Sequence, residues 1–245
     1  MKFITNERGV IVGKSLVIGD LHLGIETEFY RNGFSVESHI ERIKKCILKL
    51  ARENNCRNLV LLGDVKHDYH GVSWQEEREI PSFLKDLTKS LKVHITPGNH
   101  DGNIKDITPE EVQVHESSGF EMEGNFFMHG HSWPGEEFLE ADRIFMGHNH
   151  PAVEFKDPLG YRHVEPCWLR CELDMEKVKD KYKKTGTLKE AIMVPVFNPL
   201  VGGLPVNREE SELGPFMNNR IIERKECDVY LLDGTYLGKV KDLKS

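Results

Sequence analysis

Short apolar runs separated by turn clusters, with two amphipathic stretches between them, set the rhythm of this chain. Phe3-Ile4 and Val10-Ile11-Val12 flank Asn6-Glu7-Arg8-Gly9, which predicts a hairpin over 2–12. Ser15-Leu16-Val17-Ile18-Gly19-Asp20 reads as a buried strand. From Ser35 to Glu53, Val36, Ile40, Ile43, Ile47, Leu48 and Ala51 recur at helical spacing and predict a helix. Asn58 to Asp64 gives a second buried strand. A helical stretch follows over 74–91, with Pro81 bending or starting it. Val93-His94-Ile95-Thr96 is a third strand.

Beyond residue 101 the pattern turns to β. Strands are expected at 111–116, 120–122, 126–129 and 143–146. Ala152–Phe155 and Tyr161–Val164 flank Asp157-Pro158-Leu159-Gly160, a hairpin signal. A basic helix is expected over 174–184, and further strands at 191–197 and 228–232. Residues 198–220, rich in Gly, Pro and Asn, read as the longest loop. A β-α-β-α-β half followed by a mostly β half fits a mixed α/β (α+β) fold, with helices outside two facing sheets. The chain is expected to form one domain over 1–245, with the N-terminal hairpin 2–12 and a β-rich C-terminal extension over about 185–245.

Composition narrows the class. Hydrophobic residues make up 38% and charged residues 30%, as expected of a soluble globular protein with a core. No apolar run approaches the ~18 residues of a membrane span, and Met1 to Arg8 lacks the apolar stretch of a signal peptide. Cys46, Cys56, Cys167, Cys171 and Cys227 form no Cys-x-x-Cys pair and are read as reduced thiols of a cytoplasmic protein. A net charge of −7 argues against nucleic-acid binding by bulk charge.

The chemistry is carried by histidines in a fixed order with aspartates and an asparagine. Asp20-Leu21-His22, Gly63-Asp64, Gly98-Asn99-His100-Asp101, His129-Gly130-His131 and Gly147-His148-Asn149-His150 follow one another. The first three blocks each sit directly after an apolar strand, so they are expected to converge at the carboxyl ends of one sheet. Asp20 and His22 alternate by two, so on an extended strand end both point the same way, and His148 and His150 share that logic. Such a set suits phosphate-ester hydrolysis. Two divalent ions ~3.5–4 Å apart activate a water and neutralise charge on phosphorus oxygens. Asp64 is the natural bridge, and Gly63 lets the backbone turn closely enough. Imidazoles, carboxylates and one amide favour Mn²⁺, Fe²⁺, Ni²⁺ or Zn²⁺ over Ca²⁺. His100, next to Asn99, is better placed to protonate the leaving oxygen than to bind the same ion.

These blocks resemble the calcineurin-like metallophosphoesterase superfamily, whose pattern is D-x-H, G-D, G-N-H-[DE], a lone H and G-H-x-H. The resemblance implies a four-layer β-sandwich flanked by helices, with a dimetal site at one edge. By position it implies that Asp20, His22, Asp64 and His150 hold one ion, and Asp64, Asn99, His129 and His148 the other, with His100 catalytic. His129 is preferred over His131 as the ligand; His67 and His131 are candidate substrate-binding residues. Two divalent ions are implied, Mn²⁺ first and Ni²⁺, Fe²⁺, Zn²⁺ or Co²⁺ as alternatives. Asp20 to Glu26, Gly63 to Asp68 and the late segment Asn198 to Asn207 are similar to archaeal phosphoesterases related to the bacterial DNA-ligase-associated phosphoesterase. His67 stands where protein Ser/Thr phosphatases usually have Asp, which argues against protein dephosphorylation. The expected activity is therefore metal-dependent hydrolysis of phosphate diesters by a metal-bridging hydroxide, with nucleic acid a candidate substrate. A phosphomonoesterase or nucleotide phosphatase is the alternative, and a non-catalytic interaction scaffold is the alternative of another class. No membrane partner is expected, and a homo-oligomer is left open. Of the tryptophans, Trp133 is the best candidate for base stacking, and Glu26 is read as a surface carboxylate.

Overall fold

The computed structural model describes residues 1–188, 190–208 and 214–243; part of the expected 198–220 loop, residues 209–213, lies outside the described residues. The first sheet follows chain order: β1 (Lys2–Phe3), β2 (Val10–Val12), β3 (Ser15–Ile18), β4 (Asn58–Leu61), β5 (Lys92–Ile95) and β6 (Gln113–Val114). The hairpin of β1 and β2 leads antiparallel into β3, and β3 to β6 run parallel. The crossovers carry α1 (Glu26–Arg31), α2 (Ile40–Glu53) and α3 (Trp74–Thr88).

The second sheet comprises β7 (Phe120–Met122), β8 (Asn125–Met128), β9 (Arg143–Met146), β10 (Pro151–Lys156), β11 (Arg162–Cys171), β12 (Glu190–Met193) and β13 (Leu204–Pro205). Its order is β13-β10-β11-β12-β9-β8-β7, and β14 (Asp228–Leu231) pairs with β11 and with β15 (Tyr236–Lys239). The helices α4 (Met175–Tyr182) and α5 (Gly214–Asn218) pack against its outer face.

Side-chain alternation builds the layers. Val17, Val60, Leu62, Phe127, Phe145 and Ile192 fill the space between the sheets. Their neighbours Leu16, Ile18, Leu59 and Leu61 face the α2 and α3 side instead. Phe126, Met128, Ile144, Met146, Ala191 and Met193 face the outer side of the second sheet. Strands buried on both faces read as continuous apolar runs, which is why β3 and β4 were legible. The result is the four-layer sandwich with flanking helices.

Several elements differ from expectation for local reasons. α2 starts at Ile40 rather than Ser35, because the buried Glu26 carboxylate accepts the His39 backbone N–H at 2.6 Å. Glu26 is thus buried rather than on the surface. α1, six residues long, is too short to show a period. Pro81 lies inside α3 and does not start it; a capping box of Ser73 and Glu76 does. The 198–220 stretch includes β13 and α5. β11 runs on through Cys171, its second half paired to β12 and β14.

That pairing also corrects the reading of the cysteines. Arg170 is registered against Asp228, so the next antiparallel positions, Cys171 and Cys227, face each other; they are joined as a disulfide with Cα atoms 4.4 Å apart. Their separation of 56 residues hid the pair from spacing arguments. Cys227→Ser, or reduction, is expected to lower unfolding free energy by roughly 2–4 kcal/mol. Urea denaturation with and without reductant checks this.

At the β5–β6 edge, His94 Nδ1 lies 3.0 Å from His115 Nε2, and His115 stacks on Phe120 at 3.6 Å. A hydrogen bond between two imidazoles needs one as acceptor, so it fails when both are protonated. Burial, then Lys92, lowers the His94 pKa; burial, then His94 and Lys92, lowers His115 to about 4. The unfolded chain therefore binds more protons, and stability contributed by the pair is present above the ordinary histidine pKa and lost as pH falls toward 4. Denaturation midpoints at pH 7 and 5 should differ less in His115→Gln than in the parent chain.

Candidate metal centre

The strands of both sheets stop at one level. Ile18, Leu61 and Ile95 are in register across β3, β4 and β5. Met128, Met146 and Met193 are in register across β8, β9 and β12. Asp20, Asp64 and Asn99 follow the first set closely, and His129 and His148 follow β8 and β9. The expected convergence of three strand ends is joined by two more from the facing sheet.

The backbone there is not extended. Asp20, His22, Asp64, His148 and His150 have φ of 59°, 43°, 46°, 68° and 41°. These are left-handed conformations that non-glycine residues avoid. The extended-strand argument for the paired spacings is therefore wrong, although the side chains still meet: each peptide turns sharply off its strand and the surrounding hydrogen bonds hold it there. Asp20 N–H donates to Gly63 O at 3.0 Å, and His22 N–H to Asp64 O at 2.8 Å.

Glycines make the close approach feasible. A Cβ on Gly63, whose φ is +76°, would lie 2.5 Å from His129 Nδ1 and 2.8 Å from the Gly98 nitrogen. A Cβ on Gly147 would lie 2.8 Å from Asp20 Oδ2, and one on Gly98 would fall on the Asp64 carboxylate.

Two donor clusters result, Asp20–His22–His150 and Asp64–His129–His148. His150 Nε2 is 3.3 Å from Asp20 Oδ1. Asp64 Oδ2 lies between the clusters, 3.6 Å from His22 Nε2 and 3.4 Å from His129 Nε2. Asn99 Oδ1 is 3.2 Å from His129 Nε2. His131 sits beside His129 and His148, with ring centroids at 5.2 and 6.1 Å, outside both clusters. His67 joins His22 and His100 in a third group.

Hydrogen bonds orient the imidazoles. A carbonyl only accepts, so His129 Nδ1–H donates to Leu62 O at 2.7 Å and leaves Nε2 its lone pair. His100 Nδ1–H donates likewise to His67 O at 2.5 Å. His67 Nε2–H donates to Glu28 at 2.6 Å; its Nδ1 then accepts from His22 Nδ1–H at 3.3 Å. That leaves Nε2 of His22 buried with no hydrogen-bond partner, as is Nε2 of His150. Unpartnered, buried imidazole nitrogens beside carboxylates cost free energy unless a cation meets them. The donors present therefore fit divalent metal ions.

The electrostatics agree. Burial pushes His22 down to about 2 and His148 to about 3, so both imidazoles are neutral near neutral pH. Burial, then His129, lowers His131 to about 4. Burial alone would raise Asp20, but the His150, His129 and His22 rings outweigh it and hold it at about 2. Burial, then Asp64, raises Asp101 to about 6. Its oxygens accept the N–H groups of Val65 (2.9 Å), Lys66 (3.1 Å) and Gly98 (2.8 Å), stapling the turn after β4 to that after β5.

Against this geometry, the Calcineurin-like phosphoesterase profile matches residues 13–179, more than half of the chain. The chain belongs to that family. It is a hydrolase acting on phosphate esters. Among solved structures it is similar to the nuclease MPE of Pseudomonas putida: 19% identity, 90% of this chain and 85% of that one, TM-score 0.54. It also matches Yfce, a phosphoesterase from E. coli, at 16% identity over 92% and 97% of the two chains, with a TM-score of 0.40. No curated protein matches. The first likeness reflects a shared fold.

Sequence reasoning missed Glu28, Lys66, Glu76 and the use of Asp101. Asp101 carried a signal in its place in the Gly98-Asn99-His100-Asp101 block, and Glu76 in the Ser73-Trp74-Gln75-Glu76 capping spacing, which announces a helix start but not the loop contacts. Trp133 packs against Phe216 and Tyr182 with Lys181 over its ring, whereas Trp74 is the exposed tryptophan. Among the described residues no helix is long and apolar enough to cross a membrane.

Gly63→Ala is expected to weaken Mn²⁺ binding at least ~10-fold, because a methyl group would displace His129 and add strain at a left-handed position of ~1–3 kcal/mol. Calorimetric titration checks it, with the Gly33→Ala variant, whose added methyl meets nothing within 4 Å, as the comparison for strain alone.

Proposed function

We propose that the chain is a metal-dependent phosphodiesterase with two divalent ions, Mn²⁺ first, and that nucleic acid is a candidate substrate. The observation that carries this reading is Asp64 Oδ2 lying between the two donor clusters. In it, Asp20, His22, Asp64 and His150 hold one ion, and Asp64, Asn99, His129 and His148 the other. His129, which lies within a cluster while His131 does not, is preferred for the second ion. When bound, the ion pair supplies Lewis acidity toward the phosphoryl oxygens and lowers the pKa of a water.

The chain's own residues do the rest. His100 keeps Nδ1–H on the His67 carbonyl, so when the ring carries a second proton it is the Nε2 proton that passes to the departing oxygen, leaving the neutral Nδ1–H ring. His67 and His131 are the candidate substrate contacts. Diester preference is supported by charge: a monoester carries an extra negative charge, and the five sequence blocks that supply the site, 20–22, 63–64, 98–101, 129–131 and 147–150, contain no arginine or lysine to meet it. The Pseudomonas putida neighbour is a nuclease, which is in keeping with a nucleic-acid substrate. With a net charge of −7, affinity for a strand would be confined to the cation edge.

His100→Ala should lower turnover by ~10²–10⁴ on an unactivated ester and leave bound metal unchanged. The loss should shrink for nitrophenyl esters, whose leaving group needs little protonation. Comparing catalytic efficiency on matched diesters, monoesters and single-stranded oligonucleotides tests the substrate class. A strong monoester preference contradicts it.

A further inference from the structure

The segment after Asp64 is held by two buried charges of opposite sign. Lys66 is 0% and Glu76 1% exposed. Glu76 Oε1 accepts the N–H groups of His67 at 2.8 Å and Asp68 at 2.7 Å, the former shared with Leu23 O at 3.0 Å. Its Oε2 accepts Ser73 N–H at 2.7 Å. Lys66 Nζ donates to the carbonyls of Asp68 and Gly71, the latter at 2.5 Å. The carboxylate thus gathers the loop's amides and the ammonium gathers its carbonyls. Charge-assisted bonds to backbone are the stronger kind, and fix a loop where neutral side chains would leave it loose. Burying two charges is costly and exceeds what a helix cap needs.

What this loop presents is the His67 carbonyl, 2.5 Å from His100 Nδ1. Tyr69 of the same loop meets the His100 ring edge-on, centroids 5.6 Å apart. We propose that Glu76 and Lys66 are positioning residues that clamp residues 67–71, so that the His67 carbonyl fixes the tautomer and direction of His100. This rests on His100 acting as the proton donor proposed above. Neither residue touches the reacting atoms; both act through His100. The reason is geometric: giving the Nε2 proton to the departing oxygen leaves the neutral Nδ1–H ring, and a carbonyl that drifts by a fraction of an ångström no longer holds that form, so the proton stays on Nε2 part of the time.

The test uses Glu76→Gln and Lys66→Met, both close in volume to the parent side chains. Nitrogen NMR of the histidine rings in the metal-free protein reads the tautomer directly. The parent chain is expected to hold His100 as Nδ1–H, and both variants to show a mixture. With Mn²⁺ added, kcat on an ester with a poor leaving group should fall at least ~10-fold, part of the ~10²–10⁴ that proton transfer supplies, while KM changes little. In a His100→Ala background the same substitutions should cost nothing further. A parent chain with His100 as Nε2–H overturns the proposal, whether or not the variants fold. So does a loss of equal size in the His100→Ala background. If His100→Ala keeps full turnover, the reading of the site fails and the tautomer still decides the clamp.

Discussion

Asp64 lies where the two sheets meet, and the positions of its neighbours depend on it. One oxygen accepts the His100 N–H at 2.9 Å, and the other lies within 3.6 Å of rings from both sheets. Its carboxylate can occupy that spot only because Gly63 and Gly98 allow their backbones to approach, and because the strands of both sheets end in register. A shift of one residue in β4 or β9 would turn the following side chain to the other face and dissolve the cluster.

The edge is costly in itself. Five non-glycine residues adopt left-handed backbone, and buried carboxylates face buried imidazoles. Strain of this kind persists only where the surroundings over-determine it. Here the determination comes from β3, β4, β5, β8 and β9, whose apolar side chains lock three layers of core behind the site. Divalent cations would relieve the remaining cost by meeting the lone pairs of His22 and His150 and adding positive charge beside Asp20 and Asp64.

Much of this was legible in the chain. The parallel strands announced themselves as apolar runs, and the ordered Asp, His and Asn blocks named the residues that meet. The backbone conformation that makes them meet was not legible, because a spacing of two suggests an extended strand and says nothing of a left-handed turn. Nor was the Cys171–Cys227 pair, which follows from the register of β14 on β11. Lys66 and Glu28 look like surface charges in a polar stretch, and the Ser73–Glu76 spacing announces a helix cap alone; the packing of α1 and α3 around the 67–71 loop supplies the further partners. Local periodicity reports which face of an element is buried, and these residues depend on contacts between elements.

A pair of cations joined through Asp64, as proposed, is open to direct measurement by electron paramagnetic resonance during Mn²⁺ titration. Two ions should bind per chain and give a spin-coupled signal near saturation, and Asp64→Asn should abolish the coupling. A chain that saturates at one uncoupled ion while fully active would contradict the account.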